Sequence, residues 1–252
     1  MTTRPAPANK SLRISIIVPA FNEERLLGET LRHLKGAMRV FEPLGWAAQL
    51  IVCDNNSTDR TSQISREAGA EVVFEPINQI ARARNTGAAA ASGDWLIFVD
   101  ADSHPTPELF AEVAQQIQSG RCLAGGCTVK LDRHYPVLRL VTGLWNWLSR
   151  GRKLLAGSFI FCEAAAFRKV GGFSQELFAA EELELSLKFK RLARERGQRI
   201  VILHRHPLVT SGRKAHLYTP WEHVRFLLRT VLAGGKTLNS REACYPWYDG
   251  RR

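Results

Sequence analysis

The chain has 252 residues, 45% hydrophobic and 23% charged, which is the balance of a globular protein with a packed core. Its formal net charge of +11 suits nucleic acid, an anionic membrane surface or nucleotide phosphates as partners. Five cysteines (Cys53, Cys122, Cys127, Cys162 and Cys244) in no C-x-x-C spacing argue against a disulfide framework, and a polar start without an apolar core argues against a signal peptide. With no run of about 18 apolar residues, no membrane span is expected, and a reducing, cytoplasmic compartment fits best.

Ile14 to Val18 is a β-branched run ended by Pro19 and reads as a buried strand. Leu26, Leu27, Leu31, Leu34 and Met38 fall at helical spacing within a helix from Glu24 to about Val40. A second strand over Gln49 to Cys53 ends on Asp54, a helix runs from Thr58-Asp59 to Ala68, and Gly69 stops it. Glu71 to Phe74 is a third strand, the alanine-rich stretch Ala81 to Ala91 a helix, Trp95 to Val99 a fourth strand, and Pro107 to Gln118 a helix. This alternation predicts a parallel sheet with helices on both faces over about the first 120 residues. Further on, Leu123 to Leu131 reads as strand, Pro136 to Arg150 as amphipathic helix and Ser158 to Cys162 as extended. Glu181 to Arg196 and Trp221 to Leu232 read as helices, with Arg199 to Leu203 a strand between them.

Chemistry gathers where the predicted strands end. The sharpest segment is Asp100-Ala101-Asp102, at the close of the fourth strand. Carboxylates at the carboxyl edge of an open α/β sheet face the crevice where such folds bind ligands, and they suit a hard divalent cation carrying phosphates. The loop Pro19 to Glu23 and Asp54, each at a strand end, can meet a nucleobase; Ser57, Thr58 and Asp59 read as turn and capping residues. Arg84 is suited to a bidentate clamp on a carboxylate or diphosphate. Glu181-Glu182, at the head of a helix after Gly171-Gly172-Phe173, places a second acidic pair across the cleft, where a carboxylate can act as general base.

Taken in order, Ile16-Ile17-Val18-Pro19-Ala20-Phe21-Asn22-Glu23, Asp54 to Asp59, Ala83 to Ala88, Phe98 to Asp102, and Val170 to Phe173 before Glu181-Glu182 resemble the family 2 glycosyltransferases, inverting enzymes of the GT-A fold. The resemblance covers about residues 12 to 235. It implies a Rossmann-like α/β fold with a mostly parallel central sheet flanked by helices. One domain over residues 1–252 would hold a nucleotide-binding half (about 12–120), an acceptor-facing half (about 121–235) and a tail (236–252). It also implies roles. Pro19, Ala20, Phe21, Glu23 and Asp54 would hold the nucleobase, usually uracil. Arg84 would support the nucleotide and the acidic motif. Asp100 and Ala101 would lie by the ribose or donor sugar, and Asp102 would bind Mn²⁺ or Mg²⁺. The family's second acidic motif is usually Glu-Asp with the Asp as base; here Glu182 stands in that place, one methylene longer. Gly157, Ser158 and Glu181 would line the acceptor side. Thr210 to Lys214 approximates a Thr-Ser-x-Arg-Arg segment, so Arg213 and Lys214 would reach the diphosphate. His206, or less readily His204, would be an added metal ligand.

The basic amphipathic stretch Leu138 to Lys153 fits either a core-facing helix or a helix on an anionic membrane, which would suit a lipid-linked acceptor. Three other readings compete. A nucleotidyltransferase would want a glycine-rich loop after the first strand, where this chain has Pro19 to Glu23. A nucleic-acid module would cluster its cations with aromatics, whereas these are dispersed. A sugar-nucleotide binder without turnover would keep the donor residues alone.

Overall fold

The computed structural model describes residues 11–132, 136–212, 239, 240, 242 and 244. The expected helix at Trp221 to Leu232, and Arg213 and Lys214, lie outside the described residues. In chain order the elements are β1 (Arg13–Ala20), α1 (Leu27–Met38), a 3-10 segment (Arg39–Leu44), β2 (Ala47–Asp54), α2 (Thr61–Glu67), β3 (Glu71–Phe74), α3 (Ile80–Ala90) and β4 (Trp95–Val99). There follow β5 (Ser103–His104), α4 (Pro107–Gln118), β6 (Cys122–Leu131), α5 (Pro136–Arg152), β7 (Phe159–Glu163), α6 (Ala164–Lys169), α7 (Glu181–Arg196) and β8 (Arg199–Thr210).

The strands form one sheet in the order β3-β2-β1-β4-β7-β6-β8-β5. β1 is central to the first half, pairing in parallel with β2 and β4, and β3 adds in parallel beyond β2. Period-two alternation then separates two cores. Ile14, Ile16 and Val18 of β1 with Ile97 and Val99 of β4 meet Leu27, Leu31 and Leu34 of α1 and Leu109, Phe110 and Val113 of α4. Ile17, Leu96 and Phe98 point the other way, toward Ala81 and Ala88 of α3 and Leu185 and Phe189 of α7. The close seat of α3 on β1 needs Gly87, where a Cβ would come within 2.5 Å of Ile17 Cγ2.

The second half departs from a simple parallel pattern. β7 runs antiparallel to both β4 and β6, β8 is parallel to β6, and β5 is antiparallel to β8 at the edge. Neither β5, two residues long, nor α6, six residues long, has a hydrophobic period long enough to read from sequence. β8 extends seven residues past the predicted Leu203, through a register shift opposite Cys127 and Val129 of β6. The sheet's order and handedness bring the ends of β1, β2 and β4 together with the starts of β7 and α7.

Candidate active site

β1 and β2 end in register, with Pro19 opposite Cys53 and Ala20 opposite Asp54. The loops that follow are laced together. Asn22 adopts φ 52°, its N–H donates to Ser57 Oγ at 3.0 Å, and its Oδ1 accepts from Thr58 N–H at 2.8 Å. Glu23 N–H donates to Thr61 Oγ1 at 2.8 Å, and Asp54 Oδ1 accepts from Ser57 N–H at 3.0 Å. Asp59 accepts from the N–H groups of Glu24 and Thr61. Burial works to raise its pKa, but the Thr61 hydroxyl and these backbone donors outweigh it and hold the carboxyl below its ordinary range. Ser57, Thr58 and Asp59 thus serve as turn and capping residues. Phe21 and Glu23 follow the end of β1, and Asp54 ends β2 opposite Ala20.

Arg84 is the centre of the acidic side. It projects from α3 and is 2% exposed. Nη1 donates to Glu181 Oε1 at 2.6 Å, while Nη2 donates to Asp100 Oδ1 at 2.9 Å and to the Gly157 carbonyl at 2.8 Å. The guanidinium carbon lies 5.2 Å from the centroid of the Phe173 ring, a cation–π distance. Burial alone would lower the Arg84 pKa; the carboxylates of Asp100, Glu181 and Glu182 reverse this and raise it. A Cβ at Gly157 would make a tight contact of 3.2 Å with Arg84 Nη2. Ser158 fixes the acidic turn through its backbone: its carbonyl accepts from Asp100 N–H at 3.2 Å. The Ala101 carbonyl accepts from Thr30 Oγ1 at 2.8 Å, and the Asp102 carbonyl from Ser211 N–H at 3.1 Å. A cavity of about 200 Å³ collects Arg84, Asp100, Gly157, Ser158, Glu181 and Glu182.

Ala180, at φ 64°, turns the chain into α7 and sets Glu181 and Glu182 in its first turn, where the helix dipole favours negative charge. Burial chiefly, then the neighbouring Glu181, pushes the Glu182 carboxyl up to about 7 against the pull of Arg84. Glu184 turns to Lys188 instead, at 3.1 Å. Ser186 ties this helix to the loop before Gly157, donating to the Glu182 carbonyl at 2.7 Å and accepting from Leu155 N–H at 2.9 Å.

Three amides that sequence patterns did not single out as functional hold the loops around the cavity. Asn85 closes on both backbone groups of Phe173, donating to its carbonyl at 2.9 Å and accepting its N–H at 3.0 Å. Gln79 donates to the carbonyls of Gln175 and Leu177, both at 2.9 Å. Asn55 donates to the carbonyls of Glu75 and Ile77 and accepts from Gln79 N–H. Asn55 and Asn85 lie inside the motif segments, but the partners of all three are far away in sequence, so no local pattern shows what they hold. At Gly172, φ is 67° and a Cβ would come within 2.7 Å of Asn85 Oδ1. Gly172→Ala is expected to lower stability by about 2 kcal/mol, from the left-handed backbone and the loosened Asn85 clasp. An unchanged urea midpoint would contradict this.

The two histidines predicted as added metal ligands lie on β8. His206 Nδ1 is 2.6 Å from Glu112 Oε1 on α4, and His204 lines a groove beside α5. Like Asp102, neither is among the residues lining the Arg84 cavity. His104 pairs with Val209 in β5 and stacks on His33 with ring centroids 4.7 Å apart. Phe159, Phe161 and Phe173 are buried in the core.

The model of the family described as "Glycosyl transferase family 2" matches residues 15–169. The chain is similar to the undecaprenyl-phosphate 4-deoxy-4-formamido-L-arabinose transferase of Pseudomonas fluorescens, 31% identical over 134 residues that make up 50% of this chain and 38% of that one. For several curated relatives the aligned part is 19% to 62% of their own length. Among solved structures, the mannosyltransferase of Pyrobaculum calidifontis in complex with GDP-Man and Mn²⁺ superposes with a TM-score of 0.66 at 18% identity, covering 97% of this chain and 69% of that one. S. aureus TarS 1-349 in complex with UDP gives 0.60 at 22% identity, covering 86% and 64%. These likenesses show the GT-A fold. The family match spans β2, which ends on Asp54, α3, which carries Arg84, and β4, which Asp100 follows, and the chain belongs to glycosyl transferase family 2.

Proposed function

We propose that the chain is an inverting glycosyltransferase that moves a sugar from a nucleoside diphosphate donor, a UDP-sugar, to an acceptor hydroxyl. The observation that carries this reading is the cavity in which Arg84 gathers Asp100 and Glu181 beside Glu182. Phe21, Glu23 and Asp54 take the nucleobase side, and Asp100 with Ala101 the ribose and donor sugar. Gly157, Ser158 and Glu181 border the acceptor.

The donor set fits a hard divalent ion, because the turn after β4 offers carboxylate oxygens from Asp100 and Asp102. Asp100 commits one oxygen to Arg84, so Asp102 is assigned to Mn²⁺ or Mg²⁺. Such an ion, when bound, neutralises charge on the departing diphosphate. His206, whose Nδ1 meets Glu112, keeps Nε2 for the part of an added ligand. Glu182 takes the proton of the acceptor hydroxyl. The hydroxyl oxygen then bonds to the anomeric carbon on the face opposite the diphosphate, whose bond to that carbon breaks. No covalent enzyme intermediate forms. The relative named for undecaprenyl-phosphate supports a lipid-linked acceptor.

Calorimetric titration with UDP, GDP and dTDP, each with Mn²⁺ or EDTA, tests the donor half. Selective metal-dependent binding of UDP is expected, and Asp102→Ala is expected to weaken it at least about tenfold, or ~1.4 kcal/mol. Equal affinity of Asp102→Ala with and without Mn²⁺ would remove the metal assignment. Donor binding without turnover on any acceptor would favour a sugar-nucleotide binder.

A further inference from the structure

Helix α5 presents an apolar stripe to solvent. Its 17 residues include no acid. The side toward the sheet carries polar anchors beside the half-buried Trp145: Asn146 accepts from Val129 N–H at 3.0 Å and donates to the Val129 carbonyl at 2.9 Å, and the buried Ser149 hydroxyl donates to the Leu154 carbonyl. The side away from the sheet is apolar. Leu140, Val141, Leu144 and Trp147 are 76%, 58%, 64% and 72% exposed. They make up most of the large apolar side chains that are well exposed among the described residues. Positions 140, 144 and 147 follow one line along the helix at spacings of four and three, with 141 beside it.

Cations frame that stripe. At 100° per residue, Arg139 and Arg150 fall on one flank and Arg152 on the other, and Lys153 follows the helix end; all four are exposed. Arg150 and Lys153, with His204, also line a groove of about 680 Å³ between α5 and β8. A protein partner would need a matching surface for both the apolar line and its rim. An anionic bilayer supplies both without shape matching, because acyl chains lie beneath phosphate headgroups.

We propose that α5 docks the protein on an anionic lipid surface, with Leu140, Leu144 and Trp147 entering the acyl boundary and Arg139, Arg150, Arg152 and Lys153 on lipid phosphates. This deepens the reading of a lipid-linked acceptor. Bilayer binding needs no transfer chemistry, so the two readings fail in separate measurements.

The test is co-sedimentation of the full chain with phosphatidylcholine vesicles, with and without phosphatidylglycerol. Binding is expected on the anionic vesicles and is expected to fall as salt is added. The double variant Leu144→Ser/Trp147→Ser is expected to weaken partitioning at least about tenfold, since both side chains would otherwise leave water. Arg150→Gln is expected to weaken it about fivefold, the equivalent of ~1 kcal/mol for one surface cation. The replaced side chains are exposed, so the melting curves are expected to coincide with that of the parent. Absence of binding to anionic vesicles, or equal binding of the double variant, overturns the proposal. A dimer in light scattering that dissociates in Leu144→Ser/Trp147→Ser overturns it in favour of a second copy on the stripe.

Discussion

Arg84→Leu is expected to destabilise the protein by about 3–5 kcal/mol at neutral pH, the scale for removing one partner of a buried ion pair. The guanidinium is the shared counter-charge of a crowded acidic site, and it makes three hydrogen bonds to Glu181, Asp100 and Gly157. Without it, Glu181 stays buried with no cation, and Asp100 and Glu182 face it across the same cavity. Arg84→Lys keeps a charge but not the planar fork, so it cannot hold acceptors on both arms in one plane. Arg84→Leu/Glu181→Leu is expected to recover part of the loss, because exchanging a buried pair for apolar side chains removes the desolvation cost. Transfer in Arg84→Lys is expected to fall about 10²-fold, the effect of displacing catalytic groups by about an ångström. Urea unfolding of the set gives the answer. A loss under about 1 kcal/mol in Arg84→Leu, the scale of an exposed pair, would mean that the carboxylates do not depend on this cation.

Glu182→Gln is expected to retain UDP binding and to lose transfer by about 10²–10⁴-fold, the range for a missing general base. The pH dependence makes the test sharper. Burial, reinforced by Glu181, pushes the Glu182 carboxyl up to about 7. A base must be deprotonated to act, so transfer by the parent is expected to rise with pH through about 7 and to level off above it. The residual rate of Glu182→Gln is expected to lack that step. Stability runs the opposite way. The unfolded chain releases this proton near 4.5 and the folded chain near 7, so the folded state binds more protons between those values. Ionising Glu182 therefore costs stability progressively as pH rises from about 4.5 to 7. Glu182→Gln escapes that cost and is expected to unfold at higher urea than the parent at pH 8, while the two converge near pH 4. Near-parental transfer in the variant would move the base to another residue.

Much of the architecture could be read from local patterns. The β-branched runs of β1 and β2, the apolar run of β4 and the helical spacing of α1 and α4 declare themselves within ten or so residues, because burial on one face imposes a period. The pairing of carboxylates with strand ends follows equally locally, as Asp54 and Asp100 each close an apolar run. The motif order then led to the family that the match over residues 15–169 shows.

Other features depend on partners distant in sequence. That β7 reverses direction between β4 and β6 depends on pairing among residues 34 to 68 positions apart, and no local period encodes direction. Nothing local to Arg84, on an alanine-rich helix, separates a clamp from a solvated cation. Only the folded chain brings Glu181, 97 residues on, to within 2.6 Å and closes the Gly157 carbonyl over it. Asn85 was part of the motif but had no visible target until Phe173 was placed against it. For α5, the sequence established only that one side is apolar and the flanks are basic. The fold decided which side looks outward, because Asn146 and Ser149 found backbone partners on β6 and at the helix end and left Leu144 and Trp147 in solvent. A sequence states which residue types repeat and at what period. Which face meets the core, and which charges share one cavity, is settled by contacts between segments whose separation along the chain leaves no local trace.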